Sequence, residues 1–181
     1  NPIVKILNSK FLHRSLFVAL LIVSAINVSA QKKREFRGAW IQSVNGQFQG
    51  MTMSAMQSTL SYQLDELQKD GVNAIIFQVR PECDALYVSD IEPWSRFLTG
   101  QQGKDPGWDP LQWMILECHK RGMELHAWIN PYRAKTKGTQ TLAESHVCNQ
   151  FPNRYFEYDG LYVLNPGLKE NRDYICQVSA D

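Results

Sequence analysis

Four polar side chains stand where they could meet a ligand: Gln42, Arg80, His126 and Asn130. Each lies in or at the end of a short apolar run, at 36–42, 73–80 and 123–130. A polar group at the end of a buried strand costs a few kcal/mol unless it is satisfied, so these need internal partners, water or substrate. Two roles are open to Arg80: pairing with Glu82 or Asp84 to hold the following loop, or contacting substrate. His126 reads equally as a hydrogen-bonded core residue and as a ligand contact. Trp40 and Trp128 read as core filling in preference to stacking surfaces. Loop aromatics Trp94, Trp108, Tyr132, Tyr155, Phe156 and Tyr158 are the better stacking candidates, because a flat apolar ring with a polar tip suits the face of a sugar.

Alternating strands and helices must position these groups. After the first strand, Thr52 can cap a helix whose Met53, Met56, Leu60, Leu64 and Leu67 keep helical spacing, with Gly71 past its end. The nearly continuous apolar run at 73–80 marks a strand covered on both faces, as in parallel sheets. A long loop, 81–108, ends at Asp109-Pro110, an N-cap followed by a first-turn proline, with Gln112 placed to complete a capping-box-like pair. The second helix carries Leu111, Met114, Ile115 and Cys118, places Lys120 and Arg121 at the negative end of its dipole, and stops at Gly122. The third strand follows at 123–130. Residues 131–165 read as a second long, aromatic-rich loop, and 168–180 open a third helix.

The order β-α-β-α-β-α specifies an α/β fold with a parallel sheet and right-handed crossovers. A doubly wound nucleotide-binding sheet should show a Gly-rich turn after its first strand, and Ser43-Val-Asn-Gly-Gln47 does not supply one. A (β/α)8 TIM-type barrel is therefore favoured, with its site on the loops that follow the strands. Such a barrel takes about 250 residues, so residues 31–181 are expected to be its N-terminal part, the first three to four βα units. Period-two alternation points Trp40, Gln42, Ala74, Ile76, Gln78, Arg80, His126, Trp128 and Asn130 into the barrel. Ile75, Phe77, Val79, Leu125, Ala127 and Ile129 then face the helices.

The 181 residues carry 19 Lys+Arg against 18 Asp+Glu, with 44% hydrophobic and 20% charged residues. A folded domain is expected, and a nucleic-acid binder driven by bulk charge is excluded. Residues 1–30 hold Lys5, Lys10 and Arg14, no acidic side chain, the apolar run 16–28 and small residues up to Ala30. This is a signal-peptide pattern with cleavage after Ala30, so the mature protein is expected in the periplasm, the cell envelope or the medium. The apolar run is shorter than the roughly 20 residues of a spanning helix, so no stable membrane span should survive cleavage. Cys83, Cys118, Cys148 and Cys176 lack the spacing of a disulfide framework or zinc site, and Cys118 reads as a small buried hydrophobe. Cys83 and Cys148 both fall in loops, where export permits a bridge between them. The four His are scattered, so neither a metal nor a cofactor is expected.

Three phrases carry a resemblance: FRGAWIQSV, GVNAIIFQVRPECDALYVSDIEPWSRFLTGQQGKDPGWDPL and RGMELHAWINPYR. Together with Tyr162-Val-Leu-Asn-Pro-Gly167, they resemble the glycosyl-hydrolase-like family 10 proteins from about Arg34 to Asp181. The resemblance implies a (β/α)8 barrel, export and glycoside hydrolysis, with some members associated with bacterial cell-wall glycan. It marks Arg80, Glu82, Asp84, Tyr87, Trp94, His126, Asn130, Tyr132 and Arg133 as lining of the substrate cleft.

Glycoside hydrolysis normally uses two carboxyl groups across the scissile bond, one protonated and one ionised. On the matching loop the acidic residues are Glu82, Asp84 and Glu92. Glu82 keeps the parity of Arg80 and could aim at the cleft, but an adjacent Arg lowers a carboxyl pKa and suits an anionic role. Glu82 is read as a substrate or structural contact in preference to a catalyst, and the catalytic pair is expected beyond Asp181. The leading function is an exported glycoside hydrolase acting on a polysaccharide, with peptidoglycan strands favoured. The alternative is a non-catalytic glycan-binding envelope protein on the same barrel.

Overall fold

Thr52 opens the first helix by accepting a hydrogen bond from Ala55 N at 3.2 Å, and Gly71 follows its end at φ +82°. The helix, α1 (Met53–Lys69), buries Met56, Leu60 and Leu64. These residues pack on the strands that flank it in sequence, β1 (Gly38–Ile41) and β2 (Ala74–Arg80). The computed structural model describes residues 35–139 and 141–181. The leader at 1–30 and its cut after Ala30 lie outside them.

Strands β1, β2 and β3 (Glu124–Ile129) form a parallel sheet in that order. Ile75, Phe77 and Val79 are buried against Leu60, Leu64, Met114 and Cys118, as the alternation of β2 predicts. Alternation fails at Ala127, which is exposed instead of facing the helices, and at the end of β2. The β2–β3 register shifts between Gln78 and Arg80, so Arg80 stands opposite Ile129 rather than a member of the expected inward set. On the other sheet face, Trp40 and Trp128 meet edge-to-face at 5.0 Å, and Phe36 and His126 do so at 5.3 Å. Trp40 is 67% exposed, because none of the described residues covers that part of the sheet.

The loop after β2 contains a short helix, α2 (Arg96–Thr99), capped by Ser95 and closed by Gly100 in the left-handed region. Helix α3 (Pro110–Lys120) begins at Asp109, whose Oδ1 accepts from Gln112 N at 2.8 Å and whose Oδ2 accepts from Val88 N at 3.1 Å. One side chain thus caps the helix and ties down the preceding loop. Asp109→Ala is expected to cost the full-length protein about 1–2 kcal/mol, read from its urea midpoint, because two backbone donors lose their acceptors. Cys118 is buried on the inner side of α3, as expected.

The second loop expectation, for 131–165, is overturned. That stretch holds β4 (Arg133–Lys135), a short helix α4 (Val147–Gln150), β5 (Tyr155–Tyr158) and β6 (Leu161–Leu164), followed by α5 (Lys169–Ala180). The sheet order is β4-β6-β5, antiparallel. Asp159 and Gly160 join β5 to β6 with φ of +51° and +75°, the two positive values that a tight hairpin turn needs. A second core of Cys83, Ala134, Val147, Cys148 and Leu164 lies at this sheet. Cys83 and Cys148 are both buried there as free thiols, so the permitted bridge is absent. Among the described residues, no helix is long and apolar enough to cross a membrane.

Candidate active site

At the carboxyl end of β2 the backbone delivers Arg80, Glu82 and Asp84 in close succession, all with no exposure. Arg80 pairs with neither Glu82 nor Asp84. Its Nε donates to Glu92 Oε2 at 2.7 Å and a terminal nitrogen donates to Glu92 Oε1 at 2.5 Å, a two-pronged ion pair. The remaining terminal nitrogen donates to the carbonyls of Asn130, at 2.6 Å, and Pro131, at 3.2 Å. The loop folds back far enough to bring Glu92, twelve residues away, in place of the nearer acids.

Glu82 takes a different arginine. Arg96 Nε donates to its Oε2 at 3.0 Å, Thr139 Oγ1 donates to the same oxygen at 2.6 Å, and Thr136 donates through both its N–H, at 3.1 Å, and its hydroxyl to Oε1. Burial alone would push this carboxyl up, but the bonds from Arg96, Thr136 and Thr139 outweigh it and hold it below the usual carboxylate range. An ionised carboxylate with both oxygens occupied has neither a proton to give nor access to a glycosidic oxygen. The Glu82 carbonyl also accepts from His146 Nε2 at 2.9 Å, while His146 Nδ1 accepts from Cys148 N at 3.1 Å. Those two bonds require the neutral imidazole with its proton on Nε2, and burial lowers the His146 pKa accordingly.

Asp84 shows the opposite electrostatics. Burial pushes it up to about 6, opposed by the bond from Gln102 and reinforced by the Glu82 charge. Its oxygens accept from Glu82 N at 3.0 Å and Gln102 Nε2 at 3.0 Å. A raised carboxyl pKa is what a general acid needs, but Asp84 is enclosed beneath Gln102, whose Oε1 in turn accepts from Ala143 N at 2.9 Å. Gln102 thereby joins the segment 96–104 to the segment 141–145, and Arg96 reaches Thr136 Oγ1 at 3.4 Å. An open polar cleft of about 1280 Å³ lies between those segments, with Gln49, Lys104, Glu144 and Gln150 also on its walls.

Asn130 follows β3 with its side chain fixed at both polar atoms. Trp128 Nε1 donates to its Oδ1 at 3.0 Å, and its Nδ2 donates to the Pro81 carbonyl at 3.0 Å. Beside it on β2, Gln78 accepts from Ser43 N at 3.0 Å, and its buried Nε2 has no partner among the described residues. The remaining candidates are dispersed. His126 is exposed against Phe36, Tyr87 and Trp94 are half-buried on the main core, and Tyr132 packs on the second core. Arg133 is exposed on β4, where its carbonyl accepts from Cys83 Sγ at 3.4 Å. Of the loop aromatics, Trp108 packs edge-to-face on Trp113 at 6.0 Å, whereas Phe156 and Tyr158 are exposed.

Arg96, Gln102, Thr136, Thr139, His146 and Tyr174, whose hydroxyl donates to Glu92 Oε1 at 2.7 Å, complete these networks without being marked by the sequence. One signal was available: Ser95 before a short helical turn ending at Gly100 places Arg96 on an ordered element. Among the described residues there is no group of three or more His, Cys, Asp or Glu that could hold a metal ion.

A family model described as Glycosyl hydrolase-like 10 matches residues 35–181. The chain belongs to this family. The glycosyl hydrolase-like 10 match spans both sheets and every network just described. Among curated relatives, the chain is 40% identical over 170 residues to Glycosyl hydrolase YngK of Bacillus subtilis (strain 168), covering 90% of this chain and 33% of that protein. It is 36% identical over 172 residues to Glycosyl hydrolase DigH of Escherichia coli (strain K12), covering 83% of this chain and 39% of that protein. The chain therefore spans between a third and two-fifths of the length of these relatives. Its mixed α/β structure, a parallel sheet with helices, is consistent with part of a glycosyl hydrolase-like fold.

Proposed function

We propose that the full-length protein is an exported glycoside hydrolase that cuts O-glycosidic bonds of a polysaccharide, with peptidoglycan glycan strands as the favoured substrate. The observation that carries this reading is the family match over 35–181, joined to two relatives whose names state glycosyl hydrolase. The polar cleft between the segment that follows β2 and the one that follows β4, beyond the carboxyl end of β3, supports it, because barrel enzymes build their sites on segments at that end of the strands. The barrel itself belongs to this proposal, with β1 to β3 as its opening strands.

Catalysis requires a protonated and an ionised carboxyl flanking the scissile bond. Glu82, Glu92 and Asp84 are each committed to internal partners. The proposal places the pair beyond Asp181 and gives this chain the task of shaping and holding the glycan site. That same commitment favours a second reading, a glycan-binding envelope protein without turnover. The two separate on one assay: the full-length protein incubated with purified peptidoglycan strands and common polysaccharides, with release of reducing ends measured. Turnover supports the hydrolase. Saturable binding without turnover supports the binding protein.

A further inference from the structure

We propose that Glu92 and Tyr174 are positioning residues: acting through Arg80, they fix the turn at Asn130 and Pro131 and so aim the Asn130 carboxamide at the glycan. The inference rests on the glycan-site reading above and deepens it by naming the groups that set the geometry. Arg80 and Glu92 side chains have no exposure, so neither can touch a ligand, while Asn130 is half-buried.

A guanidinium is a rigid planar fork, and two of its corners are spent on Glu92. Its plane is then fixed, and the third corner holds two successive carbonyls, those of Asn130 and Pro131. Glu92 is itself held from two sides: the Tyr174 hydroxyl on α5 donates to its Oε1 at 2.7 Å, and Ser89 Oγ accepts its backbone N–H at 2.9 Å. Asn130 N donates to the Arg80 carbonyl at 2.9 Å, which closes the link between the two strand ends. With Trp128 on Oδ1 and Pro81 on Nδ2, the carboxamide keeps one N–H and one lone pair. An adjacent donor and acceptor in one plane can bind neighbouring hydroxyls of a pyranose ring. Charge balance alone would require only the Arg80–Glu92 pair; the hold on the 130–131 carbonyls and the support from α5 go beyond it.

The test uses the full-length protein with Arg80→Lys and Tyr174→Phe. Lysine keeps the charge opposite Glu92, but a single ammonium cannot form the fork and reach both carbonyls. Two readouts are taken: kcat and KM on the glycan, and solvent exchange of the Trp128 indole N–H, assigned with Trp128→Phe. Arg80→Lys is expected to lower kcat about 100-fold and Tyr174→Phe roughly 5-fold, with KM changed less than about twofold, since small misplacements of a contact group act on the transition state. Indole exchange should accelerate in both variants. Folded variants with wild-type kcat and wild-type indole exchange would overturn the proposal. If Arg80→Lys fails to fold, Tyr174→Phe decides. If the wild-type protein releases no reducing ends, the hydrolase reading fails by itself, and the indole exchange still decides whether the Arg80 fork on Glu92 and the Tyr174 hydroxyl position Asn130.

Discussion

Full-length protein carrying Glu92→Ala is expected to lose about 3–5 kcal/mol of stability, the usual cost of stranding one member of a buried ion pair. Arg80 has no exposure and sits among backbone carbonyls, so its charge has no route to water once the carboxylate is gone. The Tyr174 hydroxyl loses its acceptor in the same step. Chemical denaturation of wild type and variant gives the number. A second variant separates the charge from the shape: Arg80→Met with Glu92→Leu removes both ions and is expected to recover a large part of the loss, because the desolvation cost disappears with them. A double variant no more stable than Glu92→Ala would mean that the carbonyl bonds, rather than the unpaired charge, dominate.

Glu82→Ala should be the next most damaging change, about 3 kcal/mol at pH 7, since it orphans donors on Arg96, Thr136 and Thr139 together. The damage should be local. Amide exchange is expected to accelerate through 136–146 while α1, which shares none of these bonds, keeps its protection. The loss also has a pH signature. A carboxyl whose folded pKa is depressed contributes stability above its unfolded value, near 4.5, and that contribution vanishes as pH falls through the folded pKa. The gap between wild type and Glu82→Ala should therefore be full at pH 7 and shrink in acid. His146 acts in the same direction from a higher pH, because its buried neutral form is favoured and stability drops as pH falls below about 6.5. Asp84 opposes both. Its folded pKa is raised to about 6, so its contribution is present in acid and is lost as pH rises from about 3.8 to 6. The stability of Asp84→Asn relative to wild type should climb across that window. A flat difference would show that Asp84 keeps an ordinary carboxyl pKa.

Local signals in the sequence translated directly into structure. Thr52 and Asp109 cap the helices they precede, Gly71 and Gly122 take the left-handed conformations that end them, and the apolar run of β2 is covered. Each depends on residues within a turn or two of one another, where chemistry and spacing suffice. The hairpin cue was equally local: Asp159-Gly160 stands between two aromatic-rich runs, yet the aromatic content of 131–165 points to a loop as readily as to a sheet.

What remained hidden was long-range. Arg80 has two acids within four residues, and proximity in sequence favours them, but the ladder shift after Gln78 and the return of the loop at Ala85–Trp94 bring Glu92 to it instead. Glu82 likewise draws its partners from positions 96, 136 and 139, set by two loop folds that no periodicity encodes. The cleft candidates rest on a family pattern, and the structure separates their surroundings. Arg80, Glu82 and Asp84 form the buried frame, Asn130 stands at its edge, and His126 and Arg133 lie exposed elsewhere. A pattern of residues does not by itself distinguish the groups that touch a ligand from the groups that hold them.

On the proposed function, this chain frames the glycan site of a working hydrolase. The most direct test is to incubate purified full-length protein with isolated peptidoglycan glycan strands, alongside a panel of common polysaccharides, and measure new reducing ends over time. The proposed function predicts steady release from the glycan strands, strongly reduced by Arg80→Lys. No release from the strands or from any polysaccharide in the panel, by a protein shown to be folded, would contradict it.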